Sequence, residues 1–236
     1  IMGLASHEQR IQGTAIVKVF GLTAAVTGLN EKYLKRIGLD YQSLYLHPFN
    51  HVGYYPGAQQ MALKILYSKN DGKLLGAQAI GANGVDKRID VLATAIRAGL
   101  KTTDLQDLEL CYAPPYGSSK DAVNMVGFVA DNIEKGLVRF ISASEMKKFS
   151  QAFILDVRTP EEFSDGNIPG SVNIPLSQIR SRLVEIPKDK TIIVTCAVGI
   201  RAYNAIRILC GAGHKDLYNL SGGYKSYCNE NPKNNL

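Results

Sequence analysis

A cysteine and an arginine with four residues between them, in Cys196-Ala-Val-Gly-Ile-Arg201, give the strongest chemical signal in the chain. Backbone N–H groups in so short a loop can turn inward as an anion-binding nest, and a following helix adds the positive end of its dipole. Arg201 brings a permanent charge on a planar fork of donors. Such surroundings favour a nucleophilic thiolate at Cys196, with the amides of Ala197, Val198, Gly199 and Ile200 as the substrate-binding loop. The bland alternative is a buried structural cysteine, which any strand end can carry. Other candidates are weaker. His47 and His51 have the spacing of a metal pair but no third ligand, so loop histidines bonded to backbone are expected. Cys111 and Cys210 are expected to be packing residues.

The elements around the loop fit a site. Thr191 to Thr195 is β-branched throughout, as suits a buried strand of a parallel sheet. From about Arg201, Ala202, Ala205, Ile206 and Leu209 mark one helical face, and Gly211 and Gly213 supply the stop. Cys196 therefore sits where a parallel sheet delivers its carboxyl ends, the usual place for a site in an open α/β sheet. Upstream, Ala152 to Val157 reads as a strand delivering Asp156 and Arg158, and Thr159-Pro-Glu-Glu162 as a helix start. Leu217 to Leu220 reads as the last strand, and the tail from Asn229 as disordered.

Before a boundary between about Glu134 and Ser144 the pattern differs. Strands are expected at Gly13–Phe20, Tyr41–Leu46, Gln60–Ser68 and Lys73–Gly81, the last two joined across Asn70-Asp71-Gly72. Helices are expected over Glu31–Ile37, from Val85 to Gly99, and along Ala122, Val126, Val129 and Ile133. Thr103 to Gln106 has capping-box spacing, and Cys111 to Tyr116 is expected to be extended because of its two prolines. The fold class is thus an α+β domain with an antiparallel sheet followed by an α/β domain with a small parallel sheet.

Composition sets the outer limits. The chain has 236 residues, 45% of them apolar and 20% charged, with a net charge of +6. That length suits two domains, each able to bury a core. The positive charge is scattered and forms no stripe, which argues against a nucleic-acid partner. No apolar run is long enough for a membrane span, the first ten residues lack the pattern of a signal peptide, and four scattered cysteines fit a reduced, cytoplasmic setting.

The second half resembles a single rhodanese domain, residues 141–229. The likeness rests on CAVGIR, LDVR at 155–158, Glu162 with Phe163, NIPGSVNIP at 167–175, and SGGY at 221–224. It implies a sulfurtransferase in which Cys196 carries a persulfide, Arg201 serves as anion ligand, and Asp156 and Arg158 brace the domain. Tyrosine-phosphatase loops place five residues between cysteine and arginine, so a phosphatase or arsenate reductase is the lesser alternative. A catalytically silent binding module is another.

The first half, residues 11–135, resembles the dimerisation domain of pyridine-nucleotide disulfide reductases. The nearest likeness is to the branch with coenzyme A-disulfide reductase and NADH-dependent polysulfide or persulfide reductases. It rests on GTAIVKVFGLTAAVTGLNE, HVGYYPGA, GAQAIG and LCYAPPYGSSKDAVNMVGF. This implies a homodimer, with small sulfur donors and thiols as the other partners. It also implies Tyr54 and Tyr112 reaching the partner protomer's active site, and FAD, NAD(P)H and coenzyme A as cofactors of upstream domains. The sequence itself contains no G-x-G-x-x-G, so no cofactor is expected on this segment alone.

Overall fold

The computed structural model describes residues 11–231. The reading of the first ten residues and most of the expected disordered tail lie outside them. The first sheet is antiparallel: β1 (Ala15–Val19), β2 (Leu22–Gly28), β3 (Tyr41–Leu46), β4 (Ala62–Ser68) and β5 (Leu74–Gly81), in the order β1-β2-β5-β4-β3. Strand alternation sends Ala25, Leu63, Ile65, Ala77 and Ala79 to one face. There they meet α2 (Val85–Ala98) and α3 (Ala122–Glu134) through Val85, Ile89, Leu92, Val123 and Val126. The short α1 (Glu31–Arg36) is capped by the Asn30 side chain.

The opposite face of β1, β2 and β5 carries exposed Val17, Val19, Leu22, Val26 and Ile80. β2 was absent from the sequence reading. Its hairpin turns on Phe20-Gly21, with Phe20 at φ 52 and 99% exposed, whereas hairpin turns of this kind favour Asn, Asp or Gly there.

The second sheet is wholly parallel. It comprises β6 (Phe140–Ile141), β7 (Phe153–Asp156), β8 (Val172–Asn173), β9 (Ile192–Thr195) and β10 (Leu217–Leu220), in the order β6-β10-β9-β7-β8. It is flanked by α4 (Pro160–Ser164), α5 (Ile200–Gly211) and α6 (Gly223–Glu230). β6 and α6 also went unread: two residues carry no period, and α6 mixes Gly, Tyr, Lys, Ser and Asn without a clear apolar stripe.

Several expectations are corrected. Thr103–Asp107 is a 3₁₀ turn rather than a capped helix; the hydroxyl of Thr102, one residue earlier, donates to Gly72 O instead. The Cys111–Tyr116 segment ends in a turn, where Tyr116 N–H donates to Ala113 O at 2.8 Å. Cys111 and Cys210 are exposed. Cys111 lies on a surface loop, and Cys210 stands one step, a rotation of about 100°, beyond Leu209 on the buried stripe of α5. Of the expected tail, Asn229 and Glu230 complete α6. No helix among the described residues is long and apolar enough to cross a membrane.

Candidate functional site

β9 ends at Thr195, and Cys196 follows at the carboxyl edge of the parallel sheet, only 1% exposed. Its Sγ accepts a hydrogen bond from Gly199 N–H at 3.1 Å. Gly199 reaches that orientation with φ 107 and ψ −23, a region nearly closed to residues with a side chain, and serves as N-cap of α5.

Three clamps hold the loop. Tyr224 N–H donates to Cys196 O at 2.7 Å and Lys225 N–H to Ala197 O at 3.1 Å, so the first turn of α6 pins both carbonyls. Gly222 and Gly223 make this approach possible, since a Cβ on Gly223 would lie 2.3 Å from Cys196 O. Asn219, fully buried on β10, donates from Nδ2 to Gly199 O at 3.1 Å. None of these three contacts is local in sequence, and the reading of the chain found none of them.

Arg201 also differs from the simple picture of a guanidinium aimed at sulfur. It makes two parallel bonds to Glu162, Nη1 to Oε2 at 2.6 Å and Nη2 to Oε1 at 2.7 Å. Those bonds raise the guanidinium's pKa above its ordinary value, and the nearby Cys196 adds a smaller push in the same direction. Glu162 in turn is pulled down to about 2, first by its bond to Arg201 and then by the Thr159 amide. Glu162 and Thr159 form a capping box on α4. The charge beside the sulfur loop is therefore a matched pair.

Asp156 and Arg158 lie deep beside the loop. Arg158 Nε bonds both carboxylate oxygens of Asp156, Nη2 donates to Gly166 O at 2.7 Å, and the guanidinium stacks 4.1 Å above the Tyr224 ring. Tyr224 opens the α6 clamp, so this pair and the loop share a neighbour.

Tyr54 and Tyr112 stand on the first domain, 77% and 47% exposed. They are neighbours, and the Tyr54 phenol is the main influence that pushes the Tyr112 pKa up. Their loops are tied by Val52 N–H to Gly117 O and by buried Arg88, which bonds Asp121 and donates to Asn50 O at 2.7 Å. No hydrogen bond among the described residues joins the tyrosines to the Cys196 loop.

No group of three or more His, Cys, Asp or Glu side chains placed to hold a metal ion occurs among the described residues. His51 bonds its neighbour's carbonyl, Val52 O. His47 Nε2 instead pairs with Ser226 Oγ on α6 at 2.9 Å, a side chain rather than backbone.

Comparison with known proteins agrees with this architecture. Residues 14–123 match the pyridine nucleotide-disulphide oxidoreductase dimerisation domain, and residues 141–230 match the rhodanese-like domain. The chain therefore carries a pyridine nucleotide-disulphide oxidoreductase dimerisation domain followed by a rhodanese-like domain.

Among its relatives is the coenzyme A disulfide reductase of Staphylococcus haemolyticus (strain JCSC1435), 43% identical over 121 residues, which are 51% of this chain and 27% of that one. The structure of reduced Bacillus anthracis CoADR-RHD superposes with a TM-score of 0.91 at 48% identity, covering 94% of this chain and 40% of that one. A NAD-dependent persulfide reductase from A. fulgidus gives 0.85 at 40% identity, covering 95% and 41%. The chain thus spans about a quarter of the curated relative and two fifths of these solved chains.

Proposed function

We propose that the second domain transfers sulfane sulfur through a persulfide on Cys196, within a flavin- and NAD(P)H-dependent coenzyme A-disulfide or persulfide reductase. The observation that carries the reading is the Gly199 N–H aimed at Sγ from a loop clamped on three sides. The thiolate of Cys196 attacks the outer sulfur of a donor R–S–S⁻. A bond forms between Sγ and that sulfur, the donor's own S–S bond breaks, and R–S⁻ leaves with the electron pair. Gly199 N–H and the positive end of α5 stabilise the anion on the enzyme, and Arg201 with Glu162 edges the loop. A thiol acceptor then takes the outer sulfur and restores Cys196.

The exposed apolar face of β1, β2 and β5 supports a homodimer through the first domain. In such a dimer the neighbouring Tyr54 and Tyr112 would stand ready to donate a proton to a departing thiolate of the partner protomer. FAD and NAD(P)H would supply the reducing electrons. The described residues do not fit either group by themselves: none of their strand-to-helix turns has the Gly-x-Gly-x-x-Gly pattern that seats a pyrophosphate. Those cofactors are assigned to upstream domains.

Intact-protein mass spectrometry after treatment with a sulfane donor tests the central claim. A gain of one sulfur atom that maps to Cys196 and vanishes in Cys196→Ser is the expected result. A chain that gains no sulfur, or gains it equally in Cys196→Ser, overturns it.

A further inference from the structure

Between the two domains lies a cleft of about 280 Å³ with almost wholly apolar walls. One wall belongs to the first domain and includes Leu46 of β3 with Phe128 and Val129 of α3. The other includes Phe140 of β6 and, from the sulfur loop itself, Val198 and Ile200. Loop and cleft therefore adjoin: Val198, Gly199 and Ile200 of the sulfur loop line this space, which Cys196 itself does not. Ile200 is 64% exposed although it begins a helix on a globular surface, and it carries an apolar rim out to solvent. Beyond the rim, the Arg201 charge is already matched by Glu162, so the loop offers little net attraction to a highly charged donor.

We propose that this interdomain cleft is the subsite for the apolar body of the sulfur donor, selecting organic donors in which R is a compact apolar chain or ring. The proposal rests on the sulfur-transfer reading of Cys196 and adds the substrate class. It fits the usual composition of small-molecule sites, a mostly apolar cleft with a few fixed polar groups at one end. It also gives the first domain a part in the second domain's chemistry, since α3 and β3 form half of the site.

Thiosulfonates test it, because R–SO₂–S⁻ gives up its outer sulfur to the Cys196 thiolate while R–SO₂⁻ leaves with the electron pair. Charge and chemistry stay constant while R changes. Rates of persulfide formation are measured with benzenethiosulfonate and methanethiosulfonate on the full chain, each normalised to the same donor's reaction with a free thiol. The expected benzene-to-methane ratio is about tenfold or more, the size of one modest apolar contact. Phe128→Asp should bring the ratio close to one, while Phe128→Leu, which keeps the wall apolar, should keep most of it. A ratio near one in the parent, or one unmoved by Phe128→Asp, overturns the subsite and leaves sulfur transfer standing. Failure of both donors to place sulfur on Cys196 overturns the two together.

Discussion

Replacing Gly199 with alanine asks whether the loop's backbone conformation matters to the chemistry. A Cβ added there meets nothing closer than Asn219 Oδ1 at 3.8 Å, so steric overlap is not the cost. The cost is conformational, since φ 107 is a glycine region and holding alanine there takes roughly 1–3 kcal/mol. Two outcomes divide that penalty. If the loop holds its shape, thermal unfolding falls by roughly 2–4 °C for each kcal/mol. If it relaxes to negative φ, the Val198–Gly199 peptide turns and its N–H leaves Sγ. A hydrogen bond to a charged group is worth about 1.5–3 kcal/mol, so persulfide formation would slow by roughly ten- to a hundredfold. Gly213→Ala is the matched control: its φ is 89, its added Cβ meets nothing within 4 Å, and it lies at the far end of α5. It should lose stability and keep the rate. Gly199→Ala with both the melting temperature and the rate of the parent would falsify this account of the loop.

Three further outcomes follow from charged and buried groups. Arg88→Met strands Asp121 in the interior without its partner and should lower unfolding free energy by about 3–5 kcal/mol in urea; Arg88→Met with Asp121→Asn should recover part, and no recovery would argue against charge burial as the cause. Burial, with help from Lys225, pulls His47 from 6.5 to about 4, so between those values the unfolded chain binds the extra proton. Stability should then drop by as much as about 3 kcal/mol as pH falls from 6.5 to 4, and His47→Gln should flatten that slope in pH-dependent denaturation. Glu162 is depressed to about 2, so its contribution is fully present above the ordinary value of 4.5 and lost as pH falls toward 2. Glu162→Gln, which leaves Arg201 unmatched, should raise reaction with dianionic thiosulfate relative to benzenethiosulfonate, and an unchanged ratio would count against the matched-charge argument.

What the sequence made legible was whatever one element states by itself. The β-branched run before Cys196, the stripe of Ala202, Ala205, Ile206 and Leu209, and the Asn70-Asp71-Gly72 turn each carry their own period or turn chemistry, and each lies where it was read. The parallel and antiparallel halves followed from the order of those elements. The Cys196–Arg201 spacing announced a loop but not what shapes it. Glu162 reaches Arg201 across 39 positions and Asn219 reaches Gly199 across 20, and pairs at such separations leave no periodic trace in one sequence. Arg88 illustrates the same limit: in the sequence it is one charged residue on an amphipathic helix, yet it is almost fully buried and ties α2, α3 and the Tyr54 loop together.

The join between the domains bears on which of these parts can move. β3 is an edge strand, and open edges are normally covered or disrupted. Here Tyr45 N–H donates to Ser221 Oγ, just before the Gly222-Gly223 turn, and His47 meets Ser226 on α6. A Cβ on Gly222 would lie 2.9 Å from that of Tyr45, so the first domain packs directly on the turn whose helix clamps Cys196 and Ala197. Opening the interdomain cleft therefore strains the same backbone that sets the sulfur loop. Any ligand that widens the cleft should be felt at Gly199, and substitutions that loosen β3 from α6 should slow sulfur transfer without touching Cys196.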